Sequence, residues 1–300
     1  MKSLFKKKIT VFSIGILLML AGCQGEAANE SSNEETNKAV EITEIVGIEP
    51  GSGTMNIAKE TVESYNLDLE LLPSSEPAMV TELQDAIKNE EPIVVTLWQP
   101  HWMFSEYDLK FLEDPKGTLG ESENIHTMVR DGLEDDFLSA YQFLDNFYWE
   151  VEDMNEVMAK FGQDDSVEPR EAAEEWIENN QDKVNSWTKD IKSVDNETIE
   201  LAYTNYETEI SSTNVVALVL EELGYNVELT PLDMGIAFKS LSEGEVDGML
   251  IAWLPIGAAS YYEQYKDVIV DLGPNLEGAQ QGFVVPEYMD IDSIEELPIK

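Results

Sequence analysis

The chain has 300 residues, 61 acidic against 18 basic, and a formal net charge of −43 at pH 7. So acidic a surface excludes nucleic acid, which needs a basic patch, and is repelled by anionic lipid head groups, so any hold on a membrane has to come from an anchor. A single cysteine excludes an internal disulfide.

The first predicted element is an export signal over residues 1–22. Lys2, Lys6, Lys7 and Lys8 form a basic start, the run from Val11 to Leu20 is mostly apolar, and Leu20-Ala21-Gly22 sets small residues before Cys23. That run is short against the ~20 residues of a membrane span, which favours a cleaved signal peptide over a retained anchor helix. The terminus resembles a bacterial lipobox, and the resemblance implies that Cys23 becomes the lipid-modified first residue of the mature chain. Residues 23–40 read as a disordered tether, because Glu, Asn, Ser and Ala bury too little surface to offset the entropy of ordering. The ~260 residues that remain exceed the usual size of one core, so two lobes are expected.

A strand-helix-strand-helix-strand pattern then occurs twice. The first copy has a strand over 42–48, the turn Glu49-Pro50-Gly51-Ser52-Gly53-Thr54, a helix over 55–65, a strand over 68–72, a helix over 77–89, and the strand Ile93-Val94-Val95-Thr96-Leu97-Trp98 closed by Pro100. The second has a strand over 198–203, a loop over 204–212, a helix over 213–223, a strand over 226–230, a helix over 235–243, and Met249-Leu250-Ile251-Ala252-Trp253 closed by Pro255. Trp98 and Trp253 are 253 − 98 = 155 positions apart, as are Pro100 and Pro255, and Tyr107 and Tyr262. The pattern predicts two mostly parallel sheets with right-handed crossovers. A short apolar, β-branched run is a buried parallel strand, and its carboxyl edge is where open α/β sheets bind ligands. The expected result is a cleft with an indole on each wall.

Between the copies, residues 131–193 form an acidic helical stretch. Met154, Val157, Met158 and Phe161 keep helical spacing, as do Ala173, Trp176 and Ile177, and Trp149, Trp176 and Trp187 read as packing residues. Near the end, Gly282-Phe283-Val284-Val285 is strand-like and crosses back from the second lobe to the first. His101 and His126, the two histidines, are too few and too far apart in sequence for a metal constellation. Phosphate-loop and Gly-x-Ser-x-Gly motifs are missing, and carboxylate pairs in so acidic a chain are what solvated faces look like. No cofactor is expected. An enzyme working with two carboxylates across a sugar cleft is the alternative from another class.

Several phrases carry a family resemblance: Gly47-Ile48-Glu49-Pro50-Gly51-Ser52-Gly53, Trp98-Gln99-Pro100-His101-Trp102-Met103-Phe104, Leu112-Glu113-Asp114-Pro115-Lys116-Gly117, Ile125-His126-Thr127-Met128-Val129-Arg130 and Asp271-Leu272-Gly273-Pro274-Asn275-Leu276-Glu277-Gly278. Over residues 42–296 the chain resembles the substrate-binding lipoproteins of glycine betaine/proline betaine ABC importers of Gram-positive bacteria. The resemblance implies a two-lobed, type II periplasmic-binding-protein fold in circularly permuted order, which closes on its ligand. Lobe one is expected over 41–124 plus 283–300, and lobe two over 125–282. It implies an aromatic box, with Trp98 and Trp253 matching two box tryptophans and Tyr206 standing where a relative has the third. Gly47 and Ile48 match the amides that hold the ligand's carboxylate, and Ala258 stands where a relative offers a histidine. The implied partners are a permease and its ATPase, with the lipid on Cys23 as the membrane anchor. Choline or carnitine in place of glycine betaine, or a surface sensor outside transport, are the competing readings.

The chemistry of such a ligand fits these residues. A quaternary ammonium has no N–H to donate, so aromatic faces recognise it, each worth about 2 kcal/mol when desolvated. Three faces supply ~6 kcal/mol, against roughly 8 for micromolar affinity, before ordering and closure costs. Backbone N–H groups at a glycine-containing turn that opens a helix suit the carboxylate end.

Overall fold

The computed structural model describes residues 42–120, 122–163 and 166–300; the expected signal, the tether and Cys23 lie outside the described residues. The first copy forms β1 (Glu44–Val46), α1 (Gly53–Tyr65), β2 (Glu70–Leu72), α2 (Glu76–Asn89) and β3 (Val95–Gln99). After it come α3 (Met103–Glu106), β4 (Leu109–Phe111) and β5 (Glu123–Arg130), then five helices, α4 (Leu133–Asp136), α5 (Leu138–Asn146), α6 (Val151–Gly162), α7 (Pro169–Asn179) and α8 (Gln181–Trp187). The second copy forms β6 (Thr198–Tyr203), α9 (Glu207–Glu222), β7 (Asn226–Pro231), α10 (Met234–Glu243) and β8 (Gly248–Leu254). Helix α11 (Ala259–Tyr265) and the long strand β9 (Ile269–Pro286) complete it.

As expected, each copy is an α/β unit built on three parallel strands, β1 paired with β2 and β3, and β6 with β7 and β8. Antiparallel strands then join the units into one sheet of order β2-β1-β3-β9-β5-β8-β6-β7, with β4 also on β9. Strand β9 is the common member. Its Gln280–Val284 stretch pairs with β3, whereas Ala279 back to Ile269 pairs with β5. The sequence shows a strand only at 282–285, because Gly273, Pro274 and Gly278 read as breakers. They are accommodated at irregularities: the β5–β9 register shifts repeatedly, and Gly273 and Gly278 take φ of 95° and 80°.

Local signals set the helix ends. Ser52 caps α1 by accepting from the Met55 N–H at 3.2 Å, and Ser75 caps α2 by accepting from Ala78. Helix α9 starts six residues earlier than the apolar pattern predicts. Its first turns bury Thr208, Glu209, Ser211 and Ser212, so the buried face is polar and periodicity misses it. The Ser211 and Ser212 hydroxyls satisfy themselves on the carbonyls of Glu207 and Thr208. The tryptophans between the copies are core: Trp176 stacks on Trp187 at 6.0 Å and meets Trp149 edge-on at 5.8 Å.

Candidate ligand-binding site

Strands β3 and β8 end alike, in Trp98-Gln99-Pro100 and Trp253-Leu254-Pro255, each with a cis peptide before the proline. The two corners deliver Trp98 and Trp253 to one pocket, with about 380 Å³ free of protein atoms, part of it open to solvent. Tyr206, the N-cap residue of α9, joins them, its ring 5.6 Å from that of Trp98 at 66°. The three aromatic residues singled out in the sequence therefore meet. Tyr107 and Tyr262, which share the repeat offset, are not part of the lining.

The expected amide pair divides. Ile48 lines the pocket, and its N–H points at the Met55 thioether at 3.3 Å, a weak acceptor that a carboxylate would outcompete. Gly47 does not line it, since its N–H donates to the Leu72 carbonyl at 2.8 Å and extends the β1–β2 ladder. The start of α1 takes its place. Gly53 and Thr54 line the pocket, and first-turn N–H groups lack intrahelical partners. Glycine is required at 53, because a Cβ there would overlap the Gly257 carbonyl beyond β8. Ala258 is buried beside the pocket, its N–H on the Trp253 carbonyl, and does not line it.

A polar chain fixes this end of the site. The Thr54 hydroxyl donates to Gln281 Oε1 at 2.7 Å, Gln281 donates to Glu123 Oε2, and Glu123 Oε1 accepts the N–H groups of Ile256 and Gly257 at 3.0 and 2.7 Å. Burial still raises the Glu123 carboxyl above the ordinary carboxylate range despite these donors. At the aromatic end, the Trp253 indole N–H donates to Glu209 Oε1 at 3.0 Å. Burial raises the Tyr206 phenol, and the carboxylates of Glu49, Glu209 and Glu76 add to the shift.

Behind Trp98 lies a buried cluster that the sequence hides. His101, edge-on to Trp98 at 5.4 Å, places Nε2 3.2 Å from Glu76 Oε1 and 3.9 Å from Glu207 Oε2. The three ligand-type atoms lie within 4.8 Å of one another, a spacing open to a metal ion. The Met103 N–H, however, donates to His101 Nδ1 at 3.3 Å. That hydrogen bond leaves the ring proton on Nε2, where it meets Glu76, whereas a metal held through Nε2 would need the proton on Nδ1. The cluster is a hydrogen-bonded one. Glu76 Oε2 also accepts the Glu207 N–H at 3.1 Å, so it caps α9, whose own N-cap residue supplies no side-chain bond. Burial pushes Glu76 up to about 8 and Glu207 to about 7, and lowers His101 to about 4.

A pocket lined by three aromatic residues and the start of a helix is the site of a solute-binding protein, and comparison with known proteins narrows the class. Residues 31–179 and 197–299 match the family model described as the substrate-binding domain of ABC-type glycine betaine transport systems. The glycine betaine/carnitine transport binding protein GbuC of Listeria monocytogenes is 45% identical over 299 residues, 98% of this chain and 99% of that one. Among solved structures, lactococcal OpuAC, closed with glycine betaine, is 48% identical over 48% of this chain and 57% of its own, with a TM-score of 0.46. The glycine betaine/L-proline-binding protein ProX of Borrelia burgdorferi is 38% identical over 49% of this chain and 56% of its own, also at 0.46. These two alignments thus span just over half of each solved chain. The chain belongs to the family of substrate-binding domains of ABC-type glycine betaine transport systems. It is the extracellular substrate-binding component of an importer, and no helix among the described residues is long and apolar enough to cross a membrane.

Proposed function

We propose that the pocket holds glycine betaine, with the trimethylammonium group against Trp98, Tyr206 and Trp253 and the carboxylate at the start of α1. The observation that carries this is the shared lining: Trp98, Tyr206 and Trp253 line one pocket together with Ile48, Gly53 and Thr54. Gln281, tied to Thr54, adds a side-chain amide at the carboxylate end. The protein binds its solute and releases it unchanged. It hands the solute to a permease driven by an ATPase, and the lipid on Cys23 keeps it at the extracellular face of the membrane.

The ligand is captured between lobe one, 41–124 plus 283–300, and lobe two, 125–282. The change of partner along β9 between Ala279 and Gln280 supports a crossover close to that boundary. A second reading, carnitine, is favoured by the name of the Listeria relative; it has the same two charged ends with a longer spacer. Titration calorimetry with glycine betaine, proline betaine, carnitine and choline in one buffer decides. Glycine betaine is expected to bind tightest, with no product formed, and choline binding tenfold tighter than every carboxylated ligand would remove the α1 carboxylate site.

A further inference from the structure

One wall of the pocket is neither aromatic nor backbone. Glu209, in the first turn of α9, is 3% exposed and lines the same pocket as Trp98, Tyr206 and Trp253. Its Oε1 accepts the Trp253 indole N–H at 3.0 Å and its Oε2 accepts the Thr208 hydroxyl at 2.5 Å. Both donors are neutral. Among the described residues no lysine, arginine or histidine forms an ion pair with it. The charged group that bears on it is Glu76 on α2, Tyr206 beside it is a neutral phenol, and His101 in the cluster behind Trp98 is held neutral by burial, down to about 4, so none brings a positive charge. A buried carboxylate held only by neutral donors is costly, and a cationic occupant of the pocket removes that cost.

We propose that Glu209 is a ligand-contacting counter-charge, a fourth wall of the aromatic box that ionises against the bound quaternary ammonium and makes the pocket select charge as well as shape. This rests on the quaternary-ammonium reading of the pocket given above and names the group in it that senses the positive charge. Held to Trp253, the ionised carboxylate also enriches the indole face that the ligand meets. In the empty protein burial, with Glu76 adding to it, holds the Glu209 carboxyl up to about 7. At pH 6 the ligand's charge therefore displaces a proton: the carboxyl O–H bond breaks, the proton goes to the buffer, and the carboxylate faces the ammonium.

The test is calorimetry on the full chain with glycine betaine, choline and 3,3-dimethylbutan-1-ol, the uncharged carbon isostere of choline. Runs at pH 6 and pH 9, in pairs of buffers differing in ionisation enthalpy, count the protons released. Wild type is expected to release a proton fraction at pH 6 and none at pH 9, and to prefer choline to its isostere. Glu209→Gln keeps the side chain's shape, its one amide oxygen accepting from the Trp253 indole and its NH2 donating to the Thr208 hydroxyl, which turns to accept; it should bind the two charged ligands at least tenfold more weakly, leave the isostere unchanged and release no proton. Should that variant fail to melt cooperatively, Glu209→Asp replaces it and is expected to keep both the proton release and the preference for charge. Cationic ligands bound within twofold of wild type by Glu209→Gln would overturn the proposal, as would an equal loss of the isostere, which would make Glu209 only a support for Trp253. Wild type binding the isostere as tightly as choline would overturn it too. Choline bound without any betaine overturns the betaine reading while Glu209 is still measured; betaine bound with Glu209 indifferent overturns only the counter-charge.

Discussion

At the residue scale, the box depends on two tryptophans fixed by different means. Trp98 is wedged between His101 and Tyr206, whereas Trp253 is tethered through its indole N–H. Trp98→Ala and Trp253→Ala are each expected to weaken glycine betaine binding by about 1–3 kcal/mol, combining lost cation–π attraction with lost packing. Calorimetry alongside a thermal melt checks this, and unchanged affinity in a folded variant removes that residue from the site. Tyr206→Trp should preserve or tighten binding, because indole is the better face; complete loss would mean that the phenol hydroxyl makes a specific contact. The glutamates behind the box set a pH dependence. A carboxyl whose pKa rises on folding binds protons more tightly in the folded state, so its contribution is greatest below its unfolded value and is lost as pH rises toward the folded one. For Glu76 that window runs from 4.5 to about 8. Glu76→Gln should therefore gain stability relative to wild type as pH climbs through this range, read from urea midpoints at pH 5, 7 and 9. A difference that stays flat with pH would contradict the raised value.

At the element scale, the first turn of α1 and the corner after β8 meet without clearance, as the Gly53–Gly257 contact shows. A methyl group at Gly53 requires these two elements to stand apart, while neither element needs the contact in order to fold. Gly53→Ala is thus expected to melt within a few degrees of wild type and to bind betaine more than tenfold more weakly; wild-type affinity would show that the contact is not required. How much of this was legible in the sequence differs by element. The two Trp-x-Pro corners stood out because they repeat at a fixed offset and end apolar runs, and both reached the pocket. Gly47 did not, because its N–H is committed by the β1–β2 register, which sequence spacing does not reveal. The start of α9 was hidden by a polar buried face, and with it Glu209. Glu76 and Glu207 carried no signal either: among 61 acidic residues, a buried glutamate looks like a solvated one until packing singles it out. His101 stands out in the sequence as one of two histidines, but its partners come from distant turns of chain.

At the scale of the whole molecule, the formal charge of −43 bears on closure rather than on the pocket. If lobes 41–124 plus 283–300 and 125–282 turn against each other about β5 and β9, every closing step brings two strongly acidic surfaces together. Mutual repulsion opposes closure at low ionic strength and is screened as salt rises, since the Debye length falls from about 30 Å at 0.01 M to about 3 Å at 1 M. Glycine betaine carries no net charge, so salt does not weaken its approach to the acidic cleft. Choline is a net cation and loses that attraction when screened. Betaine affinity is therefore expected to rise between 0.01 and 1 M sodium chloride, with choline affinity rising less or falling. Small-angle scattering at saturating betaine should show the same trend as a more compact particle at high salt. Betaine affinity that falls steadily with salt would mean that attraction of the ammonium group, and not repulsion between the lobes, dominates the electrostatics of binding.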